Sequence, residues 1–249
     1  MTYHQIKEII TCLALSLILA SCGQKEQKTK LWYGPLADIM AQHEQLLQSN
    51  PDSMMLLINQ YQGKGNAQLT EQWKNLLLAK CDFMKGNDPE CKRRILASLD
   101  YCEHQAQGAD RLKLRSYANN LYGVLLLTHT DRKAAAQRFQ LAYQDIMQLP
   151  QPNDVVDICI NAADVARQMG HLADASSWYR RANFLADSLH VTSSQNSILA
   201  GLGQVYNDLK NYRLAHYYFG KAEREYPPKN AKDIHFFYNS WGNVYSSEG

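Results

Sequence analysis

Cysteine and histidine are the residues of this chain best suited to metal chemistry, and their spacing argues against it. The chain has six cysteines and eight histidines. No two cysteines form a Cys-x-x-Cys motif, and the histidines do not stand at the spacing of metal ligands. The closest pairing is Cys102 with His104 in the segment "CEHQ". We therefore predict that the chain holds no metal.

The sequence also lacks the motifs of the common enzyme classes. It contains no HExxH, no GxSxG, no P-loop and no GxGxxG that follows a predicted strand. The segment "GKGN" at Gly63–Asn66 does not have the spacing of a phosphate-binding loop. The acidic residues are not paired in a way that suggests a general acid and a general base. We predict that the chain is not an enzyme and uses no cofactor.

The charge balance is nearly even and does not point to nucleic acid. The chain has 26 lysines and arginines against 24 aspartates and glutamates, a net charge of +2. The short basic run "CKRR" at Cys91–Arg94 is predicted to be a solvated helix face rather than a phosphate-binding patch. We expect this segment to bind no nucleic acid.

One cysteine, Cys22, does have a context that indicates chemistry. Lys7 precedes a mostly apolar run, Ile9–Ala20, whose length is typical of a secretory signal and short for a membrane span. The run ends in the sequence "LASCG" at Leu19–Gly23, which resembles the lipobox of bacterial lipoproteins. That resemblance implies cleavage before Cys22 and attachment of lipid to its sulfur atom. The alternative is an ordinary signal peptide with an incidental cysteine.

The lipoprotein hypothesis sets the expected compartment of the chain. Residues 1–21 would be the signal peptide, and the polar stretch 22–33 would be a flexible tether to the membrane. A protein on the periplasmic or outer-membrane side lies in an oxidising compartment, where a disulfide between Cys81 and Cys91 is permitted. Buried free thiols are the alternative for these two residues.

Small and aromatic residues recur with a period of about forty residues. The small residues Gly123, Ala163, Gly203 and Gly242 are 40, 40 and 39 residues apart. The first three are each followed by an alanine twelve residues later, an aromatic residue four further on and another alanine three after that: Ala135, Phe139 and Ala142; Ala175, Tyr179 and Ala182; Ala215, Phe219 and Ala222. These offsets place the later three side chains on one face of a helix. Each unit thus predicts two antiparallel helices, A and B, in close contact at the small residues.

The unit that begins at Leu199 closely resembles a tetratricopeptide repeat. Its matching residues are Leu199, Leu202, Gly203, Tyr206, Ala215, Phe219, Ala222 and Pro227. The resemblance implies an all-α fold, a right-handed superhelix of antiparallel helix pairs, over residues 114–249 with an incomplete last repeat. The usual period is about 34 residues, so we expect the extra residues in helix B or in the connection after it. Thr130 is a candidate N-cap for the first helix B.

Residues 34–113 are predicted to form degenerate helical hairpins. Asn50-Pro51-Asp52 has the sequence of a helix start, a cap followed by proline and an acid, and Asp88-Pro89-Glu90 repeats it. The stretch "LLQSNPDSMMLLINQY" resembles the first hairpin of helical-repeat lipoproteins that are common in Bacteroidetes. That family includes membrane-bound regulators with a DNA-binding tail.

The tetratricopeptide resemblance implies a peptide-binding groove on the concave face, lined by the A helices. The candidate groove residues are Asn120, Asp164, Arg167, Gln204, Asn207, Asn239 and Asn243. Most of them are amides, which can hydrogen-bond a peptide backbone in either sense. The alternative is that these positions are simply solvated.

We therefore predict a lipid-anchored module that binds a protein or peptide. The segment Phe236–Tyr245 has the pattern of an A helix without a B helix, so its apolar face would be covered by further chain or by a dimer through this open C-terminal repeat. The alternative is the sensor portion of a membrane-bound transcriptional regulator whose DNA-binding tail is absent from this chain. A glycan-binding lipoprotein is a third hypothesis, although most tyrosines and tryptophans occupy repeat core positions.

Overall fold

A computed structural model describes residues 34–43, 45–63, 66–150, 154–229 and 231–249. In these ranges the chain forms a 3-10 turn, Gly34–Leu36, and twelve α-helices, with no β-strand. The helices α1 to α12 are Ala37–His43, Leu46–Ser49, Pro51–Gln60, Ala67–Met84, Asp88–His104, Gly108–Thr128, Arg132–Ile146, Val155–Gln168, Leu172–Ser188, Gln195–Asp208, Tyr212–Glu225 and Ala231–Glu248. The predicted all-α class is confirmed. The predicted signal peptide, Cys22 and the tether lie outside the described residues.

Consecutive helices from α4 onward pack as antiparallel pairs, α4 with α5, α6 with α7, α8 with α9 and α10 with α11. The first member of each pair is the A helix and the second is the B helix. Each A helix also contacts the A helix of the next pair, in the order α4, α6, α8, α10 and α12, more extensively than successive B helices contact each other. The array is therefore an all-α solenoid that curves toward its A helices, which form the concave face.

The A and B helices of a pair approach closely where the A helix has glycine. A Cβ atom at Gly123 would lie 2.5 Å from the ring of Phe139, and one at Gly203 would lie 2.6 Å from the ring of Phe219. Both rings are fully buried. Gly201 lies against Tyr179 of the preceding pair in the same way, so glycine also allows successive pairs to stack. The predicted packing of small residues against aromatic rings is confirmed.

The helix starts agree with the sequence at Asn50 and differ by one residue elsewhere. The side chain of Asn50 accepts a hydrogen bond from the backbone N–H of Ser53 at 3.0 Å, as a cap before Pro51 should. The N-cap of α5 is Asn87, not Asp88, because Asp88 is already helical and Pro89 takes the second position. The predicted cap at Asp88 is therefore wrong.

The helix α7 is capped by Asp131 and not by Thr130. The Asp131 carboxylate accepts a hydrogen bond from the backbone N–H of Ala134 at 3.1 Å. Thr130 has a φ of 62° and closes the turn that precedes the cap. Aspartate and threonine are both favourable N-cap residues, so residue type alone does not distinguish Thr130 from Asp131, and the geometry of the turn decides between them.

The extra residues of the longer repeat are found in both predicted places. The B helix α9 has 17 residues whereas the B helix α11 has 14. Residues 189–194 then connect α9 to α10. The repeat therefore departs from the usual length without disturbing the pairing of its helices.

The four cysteines in the described residues, Cys81, Cys91, Cys102 and Cys159, are buried free thiols. Burial is the largest cause that raises the pKa of each to about 12. A thiol with such a pKa is almost entirely protonated at neutral pH and reacts slowly. Of the two predicted alternatives, the structure has the free thiols and not the disulfide between Cys81 and Cys91.

The helix α12 packs on α10 and α11 and has no B helix beside it among the described residues. Phe237 and Val244 are buried against the array, while Phe236 and Tyr245 are 62% and 60% exposed. A Cβ atom at Gly242 would meet no other atom within 4 Å, unlike one at the equivalent Gly203. In the part of the chain that the structure describes, no helix is long and apolar enough to cross a membrane.

Candidate functional site on the concave face

A cavity of about 470 Å³ opens on the concave face and is lined mainly by the A helices α4, α6 and α8 and by the start of α10. We call it the central cavity. Its polar lining includes Lys80, Lys113, Asn120, Asp157, Asn161 and Ser194. Its apolar lining includes Leu121, Val124, Ile146 and Ile158. Because three helix pairs build it, the cavity exists only in the assembled array.

The lining of the central cavity includes both basic and acidic side chains. Lys80 on α4 and Lys113 on α6 are basic, while Asp154 and Asp157 at the start of α8 are acidic. The helix α6 lies between α4 and α8 and contacts both. We call Lys80 with Lys113 the basic wall of the cavity and Asp154 with Asp157 its acidic wall.

The surroundings of Asp157 in the acidic wall disfavour its negative charge. Desolvation in the concave face raises the pKa of Asp157 above its usual range, although a hydrogen bond from Ser194 and the positive charge of Lys80 oppose this. The Ser194 hydroxyl donates to Oδ1 of Asp157 at 3.1 Å. The side chain of Asp157 is nevertheless exposed to solvent.

The basic wall shows the corresponding effect on Lys113. Loss of water around its ammonium group lowers the pKa of Lys113, and the charge of Asp110 only partly offsets this. Desolvation thus disfavours the charged form of both an acid and a base that line the cavity.

Polar side chains link successive A helices along the concave face. The Nδ2 of Asn161 donates to Oδ1 of Asn120 at 2.9 Å, which joins α8 to α6 beside the central cavity. Further along, Arg167 on α8 forms an ion pair with Asp208 on α10 at 3.2 Å. We call these contacts, with the one from α10 to α12 that follows, the polar ladder.

The third contact of the polar ladder reaches the last helix. The amide Nε2 of Gln204 on α10 donates to the hydroxyl of Ser240 on α12 at 3.2 Å. Asn207 on the same A helix has a buried Oδ1 that accepts no hydrogen bond within the described residues. Asn239 and Asn243 on α12 are exposed.

The structure separates the seven predicted groove residues into several environments. Of the seven, only Asn120 lines the central cavity. Asn120, Arg167 and Gln204 each take part in the polar ladder. Asp164 accepts a hydrogen bond from the hydroxyl of Tyr179 on α9, so it is directed into its own helix pair. The other three, Asn207, Asn239 and Asn243, lie toward the C-terminal end of the array.

Sequence analysis missed Lys80, Lys113, Asp157 and Ser194. Lys80 had a signal, since it stands forty residues before Asn120 and so occupies the same place in the preceding unit. The other three had none. They lie upstream of the small residues or in a connection, where the repeat sets no preference for residue type.

The described residues contain no group of three or more histidines, cysteines, aspartates or glutamates that could hold a metal ion.

Comparison with known proteins shows similarity at the level of the fold. No family model matches the chain, and no curated protein matches it. Among solved structures, the crystal structure of BtubC (BKLC) from P. vanneervenii matches with a TM-score of 0.60, over 86% of this chain and 84% of that chain. The two sequences are 16% identical. This protein therefore has a helical-repeat fold with solved structural relatives, a fold compatible with a protein-interaction module.

Proposed function

We propose that this protein is a lipid-anchored interaction module of tetratricopeptide-like repeats that binds a peptide or a segment of a partner protein on its concave face. The observation that carries the proposal is the central cavity, which three helix pairs build and which presents charges and amides. The resemblance of the sequence around Cys22 to a lipobox supports the lipid anchor, and the resemblance of the unit from Leu199 onward to a tetratricopeptide repeat supports the type of repeat.

The size and lining of the central cavity support binding. A volume of about 470 Å³ lies within the range of roughly 300–1,000 Å³ that is typical of ligand sites. Apolar walls with a few convergent polar groups are also typical of such sites. The amide pair Asn120–Asn161 can offer both donors and acceptors to a peptide backbone.

Site-specific photocrosslinking in the native cell tests the proposal directly. A benzophenone amino acid is placed at Lys80 and at Asn243 on A helices, and in control variants at Gln140 on α7 and at Phe184 on α9, both exposed on B helices. We expect a discrete crosslinked species from the A-helix positions and none from the controls. Equal crosslinking from both faces, or none from the concave face, would contradict the proposal.

The lipid anchor has a separate test. Replacing Cys22 with serine should abolish incorporation of radiolabelled palmitate and move the protein from the membrane fraction to the soluble fraction, because no acyl chain would then hold it. Cys102→Ser is the control, since that thiol is buried within the array. Unchanged fractionation and labelling of the Cys22 variant would show that the protein is not a lipoprotein of this type.

A further inference from the structure

We propose that one side of α12 is a docking site for an α-helix of a partner protein, and that this helix carries an aromatic residue with a small residue four positions before it and another three positions after it. Tyr238, Gly242 and Tyr245 form the site, which we call the open A face. None of the three lines the central cavity. This second site therefore goes beyond the proposed function and does not depend on binding in the cavity.

The open A face repeats the face with which α10 receives its own B helix. In α10, Leu199 and Tyr206 belong to one apolar cluster with residues of α11, and Gly203 lies against the ring of Phe219. Their equivalents in α12 stand 39 residues later, in the pairs Leu199 and Tyr238, Gly203 and Gly242, Tyr206 and Tyr245. The order large, small, large is the same in both helices, so α12 has the residues with which to receive a helix.

No B helix covers these positions of α12 among the described residues. Tyr238 is 47% exposed, whereas its equivalent Leu199 is 2% exposed. Gly242 is exposed and Gly203 is buried, and a Cβ atom at Gly242 would meet no atom within 4 Å. Tyr245 is 60% exposed. The space that an aromatic ring fills beside Gly203 is therefore empty beside Gly242.

The rings on either side of this space are held in place by α11. The hydroxyl of Tyr238 donates to Oε1 of Glu223 at 2.8 Å. The ring centroid of Tyr245 lies 4.4 Å from that of His216. Because both rings already have a fixed neighbour, a docking helix would lose little free energy in ordering them.

The three B helices of the array indicate what kind of helix the site accepts. The helices α7, α9 and α11 each present a buried aromatic ring between two buried alanines: Ala135, Phe139 and Ala142; Ala175, Tyr179 and Ala182; Ala215, Phe219 and Ala222. An antiparallel helix with this pattern would place its ring beside Gly242. Its small residues would lie opposite Tyr238 and Tyr245, where a larger side chain would clash with the tyrosine rings.

The described residues contain no helix that is available to supply this pattern. The B helices α7, α9 and α11 bury it within their own pairs. A second copy would offer the same order, large-small-large, instead of its complement. In the register of an A–B pair Gly242 would then stand opposite Gly242, and no ring would fill the space. The residues of the site therefore favour a helix from a different protein.

Fluorescence anisotropy with the full chain and a synthetic helix tests the site. The probe is a labelled peptide with the sequence of residues 211–226, which contains Ala215, Phe219 and Ala222. A hydrocarbon staple on the face opposite Phe219 keeps it helical, because a free helix of this length is marginally stable in water, and circular dichroism verifies its helicity. We expect saturable binding, weakened at least tenfold by Phe219→Ala in the peptide.

Two variants of the full chain locate the binding. Gly242→Leu fills the space that the aromatic ring would occupy, and no atom within 4 Å opposes its Cβ, so binding should weaken at least tenfold in a folded protein. Ser247→Leu is the matched control, since it adds the same side chain at an exposed position of α12, roughly 140° further around the helix. Its binding should equal that of the parent. Urea denaturation confirms that both variants are folded.

Absence of binding by the helical peptide, or equal binding by the parent and Gly242→Leu, would overturn the proposal. A benzophenone amino acid at Tyr245 in the native cell then identifies the occupant, with Ser247 as the control position. The expected result is a crosslink to a different protein, in a segment that mass spectrometry shows to carry the aromatic residue between small residues. A crosslink to a segment without this pattern, to a second copy or within the same chain, or no crosslink, would overturn the partner helix. Crosslinking at Lys80 decides the proposed function independently.

Discussion

At the scale of single residues, Asp164 shows how helix pairing sets the charge of a side chain. It is half-buried on α8 and accepts a hydrogen bond from the hydroxyl of Tyr179 on α9. Desolvation raises the pKa of Asp164 above its usual range, although the Tyr179 hydrogen bond and the nearby charge of Arg167 oppose this. The pKa of Tyr179 is raised as well, mainly by its own burial, so the phenol remains protonated. Desolvation therefore favours the neutral carboxyl group, and the hydrogen bond from Tyr179 favours the carboxylate without fully offsetting that effect.

This shift predicts a pH-dependent effect of Asp164→Asn on stability. Because the folded pKa lies above the unfolded value of roughly 4, the contribution of Asp164 to stability is complete below that value and is lost as the pH rises through the folded pKa. Asparagine does not ionise, so the variant does not lose stability in this way as the pH rises. The measured quantity is the difference in urea midpoint between the variant and the parent. We expect this difference to change in favour of the variant as the pH rises from 3.5 to 7.5.

The acid end of this series is its internal control, since the protonated aspartate and the asparagine are both neutral there. Any constant offset at low pH measures the altered hydrogen bond with Tyr179 rather than the charge. A difference between the two proteins that stays the same across the whole range would show that desolvation of Asp164 does not matter to stability.

At the scale of elements, glycine determines how closely an A helix approaches its B helix, and two equivalent glycines allow a matched test. Gly203→Ala places a methyl group 2.6 Å from the ring of Phe219, which should cost about 1–3 kcal/mol in free energy of unfolding. Gly242→Ala meets no atom within 4 Å and should gain about 0.5–1 kcal/mol from the higher helix propensity of alanine. Chemical denaturation measures both, and changes of the same sign would refute this account of the packing.

Residue spacing was sufficient to predict the helices and their pairing, but it did not locate the central cavity. The pairs Gly123–Phe139 and Gly203–Phe219 follow from a period that packing imposes, because a large ring needs a small neighbour. The lining of the cavity is not subject to that constraint. Lys113 and Asp157 line one cavity only because helices from different units lie side by side, so the composition of the lining is a property of the array rather than of any local pattern.

At the scale of the whole molecule, each helix pair contacts mainly its neighbours, so the stability of the array is distributed along it. The central pairs are packed from both sides. The helix α12 is packed by α10 and α11 on one side, and within the described residues its other side presents Phe236 and Tyr245 to solvent. Openings that release a terminal element break fewer contacts than openings in the middle.

Native-state hydrogen exchange should therefore resolve α12 as a separate unit of lower stability. We expect its backbone amides to exchange through an opening of lower free energy than the amides of α6 and α8, at urea concentrations well below the global transition. Trp241 stacks on Phe219 with ring centroids 5.9 Å apart, so Trp241→Ala should lower the opening free energy of α12 further while leaving α6 and α8 nearly unchanged. Exchange of α12 and α6 with the same free energy, and an equal response of both to the substitution, would show that the array unfolds as one cooperative unit instead.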